Sequence, residues 1–301
     1  MPHLVVVGAT GVFGSAAVTQ FLQKGWRVTA FVRNATAAAN LAKAGAIIRV
    51  ADLTQPHTLS GICNGTDVVL AAAHAMLGKG KNKSEAVDLQ GAKALIDEAR
   101  KAEVKQFVYC SLYRASEQHP IDFFRTKYQV EQYIQSVGIP YTILRLPAFM
   151  EWHAYRLLGK DILEKGKAFI IGAGNNPTNF IATEDLVAAL DAIALNPAYI
   201  NKRIDLGGPD NVTRNKVADL FIKACGREAK ISHMPLGMAK ALGWLLQPLH
   251  PGIARIMHLA VASEHTDETM PAGSTIAQFG LQPTTMAMFV QQKIAAIKTS
   301  M

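Results

Sequence analysis

The chain has 301 residues, half of them hydrophobic and 18% charged, which provides a sizeable core and excludes a disordered chain. Three distant cysteines, Cys63, Cys110 and Cys225, give neither a disulfide framework nor a metal-ligand spacing, so reduced thiols, no metal and a cytoplasmic setting are expected. The net charge of +8 favours phosphate-bearing partners, but the densest basic stretch is only Lys79, Lys81 and Lys83, so nucleic acid is not expected as a ligand.

Only Met1, Pro2 and His3 precede the first apolar run, so no secretory leader is expected. Apolar runs at 4–7, 28–32, 47–50, 68–72, 106–109 and 142–144 predict strands, with helical patterns at 14–24, 86–102 and 127–137 between them. Buried strands joined by crossover helices predict a doubly wound parallel α/β sheet, a Rossmann fold, over residues 1–150. After Arg145 the strands thin out, and an irregular segment rich in Gly and Asn spans 172–178. Helices are predicted at 183–195, 213–225, 238–246 and 284–297, with Thr183 and Thr213 as N-caps. The longest apolar stretch, 238–249, is broken by Lys240 and stopped by Pro248, well short of the ~18–20 residues of a membrane span. Residues 151–301 are expected to form a smaller lobe, interwoven with the first domain and not independently folding, that binds a substrate or partner.

The first strand runs into Gly8-Ala9-Thr10-Gly11-Val12-Phe13-Gly14, directly before a helix. Gly8 allows the tight exit from the strand, Gly11 lets the backbone approach a pyrophosphate, and Gly14 lets the helix pack on the sheet. The N–H groups and positive dipole at the helix start then face the phosphates, with Thr10, Val12 and Phe13 completing the turn. The second strand ends in Arg33, where a carboxylate would favour NAD; an arginine suits the 2′-phosphate of NADP. NADP is therefore the expected cofactor, with NAD the alternative. Asp52 and Leu53, after the third strand, are placed to flank an adenine.

These residues carry a resemblance to the NmrA-like atypical short-chain dehydrogenases/reductases. It extends through Val87-Asp88-Leu89-Gln90-Gly91, the stretch from Val104 to Ser111, Tyr141 to Arg145, Phe149-Met150, Gly207-Gly208-Pro209 and Phe279 to Pro283. The resemblance implies a contact of cofactor with Ala72 and Ala73 after the fourth strand, where this chain reads Ala71-Ala72-Ala73-His74. It also implies a Ser, a Tyr and a Lys in the reaction, the last two as YxxxK on one helix face. Ser111 matches the serine and Lys127 the lysine, but Phe123 stands at the tyrosine position. Phe has no proton to give, so the usual relay is absent; Tyr113, Tyr128 and His74 are the alternative acids. Lys127 is also expected to hold the nicotinamide ribose.

Two functions follow as expectations. The first is an NADPH-dependent reductase of a flat, apolar, activated substrate, a quinone, flavin or alkene, bound against Phe123, Phe149, Met150 and Trp152. The second is a non-catalytic dinucleotide sensor that regulates or assembles a protein partner.

Overall fold

The computed structural model describes residues 1–299, which form two compact units, Met1–Leu146 with Val187–Asp205, and Pro147–Leu186 with Leu206 onward. The division falls four residues before the expected boundary at 150, and the chain returns to the first unit at 187–205.

The first unit opens with β1 (His3–Val7), α1 (Val12–Gln23), β2 (Arg27–Val32), the short α2 (Ala39–Lys43), β3 (Ile47–Val50) and β4 (Val68–Ala71). A π-helical segment, Glu85–Gly91, leads into α3 (Ala92–Lys101), followed by β5 (Gln106–Leu112), α4 (Asp122–Ser136) and β6 (Tyr141–Leu146). The second unit takes up β7 (Ala148–Phe149), a π-helical segment Met150–Gly159, α5 (Lys160–Lys165), β8 (Lys167–Ile171) and β9 (Thr178–Ile181). The next helix, α6 (Thr183–Ile193), carries the chain across the unit boundary to β10 (Lys202–Asp205). The remainder of the second unit is β11 (Asn211–Val212), α7 (Arg214–Cys225), β12 (Lys230–Met234), α8 (Leu236–Leu246), α9 (Pro251–Ser263) and α10 (Met286–Thr299).

The first unit is built on a seven-stranded sheet in the order β3-β2-β1-β4-β5-β6-β10, every neighbouring pair parallel. The strand order reverses between β1 and β4, which opens a crevice at their carboxyl ends. All five residues of β1 are buried, as the Val-rich run between two helical layers requires. One face of the sheet packs Val5, Val7, Phe31, Phe107 and Ile143 against Leu95, Ile96, Val130 and Ile134.

All six predicted strands of this sheet form. The helix predicted over 86–102 instead begins as π-helix, where Gly91 lies so close to the 53 backbone that a Cβ would come within 2.5 Å of the Leu53 oxygen. The helix predicted from 127 starts five residues earlier, with Asp122 in its acidic first turn and Phe123 turned into the core.

The second unit holds a three-stranded sheet, β11-β9-β7, and a parallel pair, β12-β8. Its core gathers Met150, Ala154, Leu158, Phe180, Phe221 and Phe289. Thr213 caps α7 as expected, its Oγ1 accepting the Lys216 N–H at 3.0 Å. Thr183 does not cap α6. It is the first residue of that helix, its buried hydroxyl has no partner among the described residues, and the Glu151 carboxylate accepts its N–H at 3.0 Å. No helix among the described residues is long and apolar enough to cross a membrane.

Candidate functional site

The glycine turn links β1 to α1 at the crevice. Gly8 has φ +90°, and a Cβ there would stand 2.7 Å from the Ala73 nitrogen, so only glycine lets β1 and the end of β4 approach this closely. A Cβ on Gly14 would stand 2.2 Å from the Gly8 oxygen. Gly11 differs from both. Its φ of −75° suits any residue, and an added Cβ would reach 3.2 Å from the Gly8 oxygen, a contact relieved by a few tenths of an ångström. The fold therefore demands glycine at 8 and 14, whereas at 11 the bare backbone leaves exposed space that a side chain would fill. No side chain caps α1, and its first turn carries no acid, so the N–H groups at the helix start face no competing anion. This cradle fits a pyrophosphate. Thr10 and Val12 are exposed beside it, and Phe13 is buried in the core.

Arg33 follows the last residue of β2 and is exposed, with no ion-pair partner among the described residues. A cation at this place fits a ribose phosphate. Asp52 is engaged in a turn: its Oδ1 accepts from both the N–H and the hydroxyl of Thr54 at 2.9 Å, and its own N–H donates to Thr58 Oγ1 at 2.9 Å. Leu53 is buried against Gly91. Ala72 and Ala73 are half-buried at the end of β4, and the Ala72 N–H donates to the Val7 oxygen at 2.9 Å.

Below this edge, α4 presents Phe123, Lys127 and Glu131 on one face through their i, i+4 spacing, and all three are buried. The Lys127 ammonium lies 3.8 Å from Asp88 Oδ1 and 3.3 Å from the Cys110 carbonyl oxygen. It also lies over the rings of Tyr109 and Phe123, at 5.0 and 5.6 Å from their centroids. Asp88 is buried too, and accepts from the Ala75 N–H at 3.1 Å and the Ser84 hydroxyl at 2.7 Å. The buried Tyr109 hydroxyl has no partner among the described residues. Burial, reinforced by the Asp88 and Glu131 carboxylates, raises its phenol well above the ordinary value. Burial likewise pushes the Cys110 thiol up to about 12, against the opposing charge of Lys127, so no thiolate nucleophile forms there near neutral pH.

Ser111 hydrogen-bonds through its hydroxyl to Glu131, whose carboxylate also receives Arg145 Nε at 3.0 Å and Nη2 at 2.7 Å. The hydroxyl proton is thus committed to an ionic network within the sheet.

His74 brings its ring to 6.1 Å from the Phe123 ring, centroid to centroid, at an interplanar angle of 63°. Its Nδ1 accepts the Met76 N–H at a long 3.5 Å. The imidazole is held below its usual pKa by desolvation and by the Lys127 cation, with Asp88 opposing. The residue is exposed, so solvent weakens both effects. Tyr128 instead lines a broad surface depression of about 740 Å³ with Arg125, Gln129 and Tyr133, which contains none of the residues expected to bind cofactor or substrate. The Tyr113 ring is covered by the Arg114 guanidinium at 5.5 Å.

In the second unit, Phe149 and Trp152 are half-buried, and Met150 has no exposed surface. Trp152 carries the Arg156 guanidinium over its ring at 4.7 Å.

The structure therefore gathers Lys127, Phe123 and His74 into one group, along with Asp88 and Tyr109, which sequence reasoning did not single out. A carboxylate inside the apolar pattern of 85–91 was the available signal for Asp88. No group of three or more His, Cys, Asp or Glu among the described residues could hold a metal ion.

A family model described as the NmrA-like family matches residues 2–286. The chain is 29% identical over 286 residues to the Photosystem II assembly factor Ycf39 of Guillardia theta, covering 93% of this chain and 89% of that protein. It is 27% identical over 237 residues to an NAD(P)H azoreductase of Xenophilus azovorans, covering 79% of each. Its fold is similar to that of an NADPH-dependent quinone oxidoreductase from Escherichia coli solved with NADPH. The TM-score is 0.77, over 97% of this chain and 99% of that one, at 22% identity.

Proposed function

The chain belongs to the NmrA-like family, and on that premise we propose that it is an NADPH-dependent reductase acting on a flat, electron-poor acceptor of the quinone, flavin or activated-alkene class. The observation that carries this reading is Lys127, buried at the crevice edge with its ammonium over Phe123 where a phenol would otherwise stand. The site keeps the cation that positions a dinucleotide and has lost the acid needed for alcohol chemistry.

In this reading Gly11 and the start of α1 receive the pyrophosphate, and Arg33 pairs with the 2′-phosphate. Lys127 holds the nicotinamide ribose. The bound dinucleotide supplies a hydride. Ser111 acts as a positioning residue, since its hydroxyl is engaged by Glu131. Phe123 supplies apolar surface and no proton. His74 delivers the proton that completes the two-electron reduction: the imidazolium loses it to the reduced acceptor's oxygen and recovers one from solvent, which its exposure permits. A quinone suits this arrangement because its ring stabilises the charge that develops before protonation. Simple secondary alcohols are not oxidised, since no phenolate is present to remove their proton.

Mixing the purified chain with NADPH and a naphthoquinone tests the proposal. The expected result is one hydroquinone formed for each NADPH consumed. Tight NADPH binding without consumption, across quinones, flavins and activated alkenes, overturns it. That outcome belongs to a second reading, a dinucleotide-sensing assembly factor, which is supported by the similarity to the Guillardia theta protein over 93% of the chain.

A further inference from the structure

Helices α8 and α9 reverse the usual arrangement of an amphipathic helix. Their buried positions are small, Ala239 and Gly243 in one, Gly252 and Ala254 in the other. Gly243 lets the two helices close on each other, since a Cβ there would stand 2.6 Å from His258 Cδ2. The bulky residues point outward instead: Trp244 is 80% exposed, Leu249 76%, Leu245 59% and Ile253 38%. These four lie in the last turn of α8, the link, and the first turn of α9, so they cluster at the apex of the helical hairpin. Left in water, such a cluster is unfavourable and marks a docking surface.

The charge pattern identifies the occupant. Between Glu228 and Glu264 the sequence has no acidic residue, while Lys230, Lys240 and Arg255 fall within the stretch, and the whole chain carries +8. We infer that the apex of the α8–α9 hairpin docks on an anionic lipid bilayer, with Trp244, Leu245, Leu249 and Ile253 entering the headgroup region and the exposed Lys230 and Lys240 attracted to the lipid phosphates. The eleven residues of α8 extend about 16 Å, half the hydrocarbon thickness, so the hairpin lies in the interface and does not span. An exposed tryptophan beside aliphatic residues and cations is the composition that suits this interface. This inference does not rest on the reductase reading.

Sedimentation of the full chain with vesicles tests it. Phosphatidylglycerol mixed into phosphatidylcholine should bind the protein and shift Trp244 emission to the blue, read as the difference from Trp244→Phe. Pure phosphatidylcholine should bind less, and added salt should weaken the binding. Trp244→Ser with Leu249→Ser should lower the partition coefficient at least about tenfold while circular dichroism and NADPH affinity stay unchanged. The inference is overturned if neither vesicle binds the protein, or if the double variant binds as well as the parent. It is overturned equally if the parent forms a dimer that the double variant abolishes and neither contacts lipid, which would assign the apex to a second copy.

Discussion

Two buried charges one helical turn apart on α4 are treated in opposite ways. Glu131 is saturated: Arg145 grips both carboxylate oxygens, and the Ser111 hydroxyl adds a further bond. Lys127 is not. Among the described residues its ammonium has one hydrogen-bonding acceptor, the Cys110 carbonyl, and an Asp88 carboxylate at the longer 3.8 Å that is already occupied by Ala75 and Ser84. Beside it the Tyr109 hydroxyl has no partner among the described residues. Protein interiors satisfy buried polar groups, so the saturated network reads as scaffold, and the spare donors of Lys127 are what the proposed dinucleotide would engage. The same division runs through the glycine turn, where the fold needs Gly8 and Gly14 but leaves the space at Gly11 open.

The largest effect should come from breaking the scaffold. Glu131→Ala leaves Arg145 without its partner in a largely buried place, at a cost of about 3–5 kcal/mol of stability. Urea denaturation should show this as a lower midpoint with an unchanged slope. The site should respond differently. Gly11→Val is expected to keep the fold, because its φ and 3.2 Å contact are tolerable, yet to weaken NADPH binding about a hundredfold, equivalent to about 2.7 kcal/mol. Gly14→Val, with a 2.2 Å clash, should fail to fold, and thermal melts of the pair separate the two roles. Arg33→Asp should erase or reverse the preference for NADPH over NADH, a change of about tenfold in relative affinity by calorimetry. Unmodified protein that binds NADH at least as tightly as NADPH would remove Arg33 from the argument.

The smallest effect concerns pH. The His74 imidazole has its folded pKa lowered below the unfolded value of about 6.5. The neutral form is therefore favoured in the folded state: this contribution to stability is complete above the unfolded value and is lost as pH falls through the window beneath it. In the proposed reaction the imidazolium would be the proton donor, so quinone reduction should rise as pH falls through the lowered folded value. His74→Gln should flatten that rise, and the imidazole C2–H titration followed by NMR should place the same transition.

Much of this was legible in the sequence because it is local. The glycine spacing, the Val-rich β1 and the place of Arg33 after β2 all lie within short windows whose chemistry needs no partner, while the Tyr absent at Phe123 is visible only through the family resemblance. Pairing across the sheet was not legible. Asp88 and Lys127 meet across 39 positions of sequence, and Glu131 on α4 finds Arg145 on β6. Nothing in either window names its partner. β10 escaped detection because it is an edge strand reading Lys-Arg-Ile-Asp, with only Ile204 buried. The short strands of the second unit offer two to five residues each, too few for a period. α9 lies beyond Pro248, which stops the apolar run, and a second proline, Pro251, begins the helix, where a proline is well accommodated.

The separation of scaffold from site along α4 is tested most directly by titrating NADPH calorimetrically into Lys127→Met and Glu131→Gln, each held where it is fully folded. The account predicts that Lys127→Met loses about tenfold in affinity, equivalent to about 1.4 kcal/mol, while Glu131→Gln, although less stable, binds as the parent does. Parent-like affinity in Lys127→Met, or an equal loss in Glu131→Gln, would contradict it.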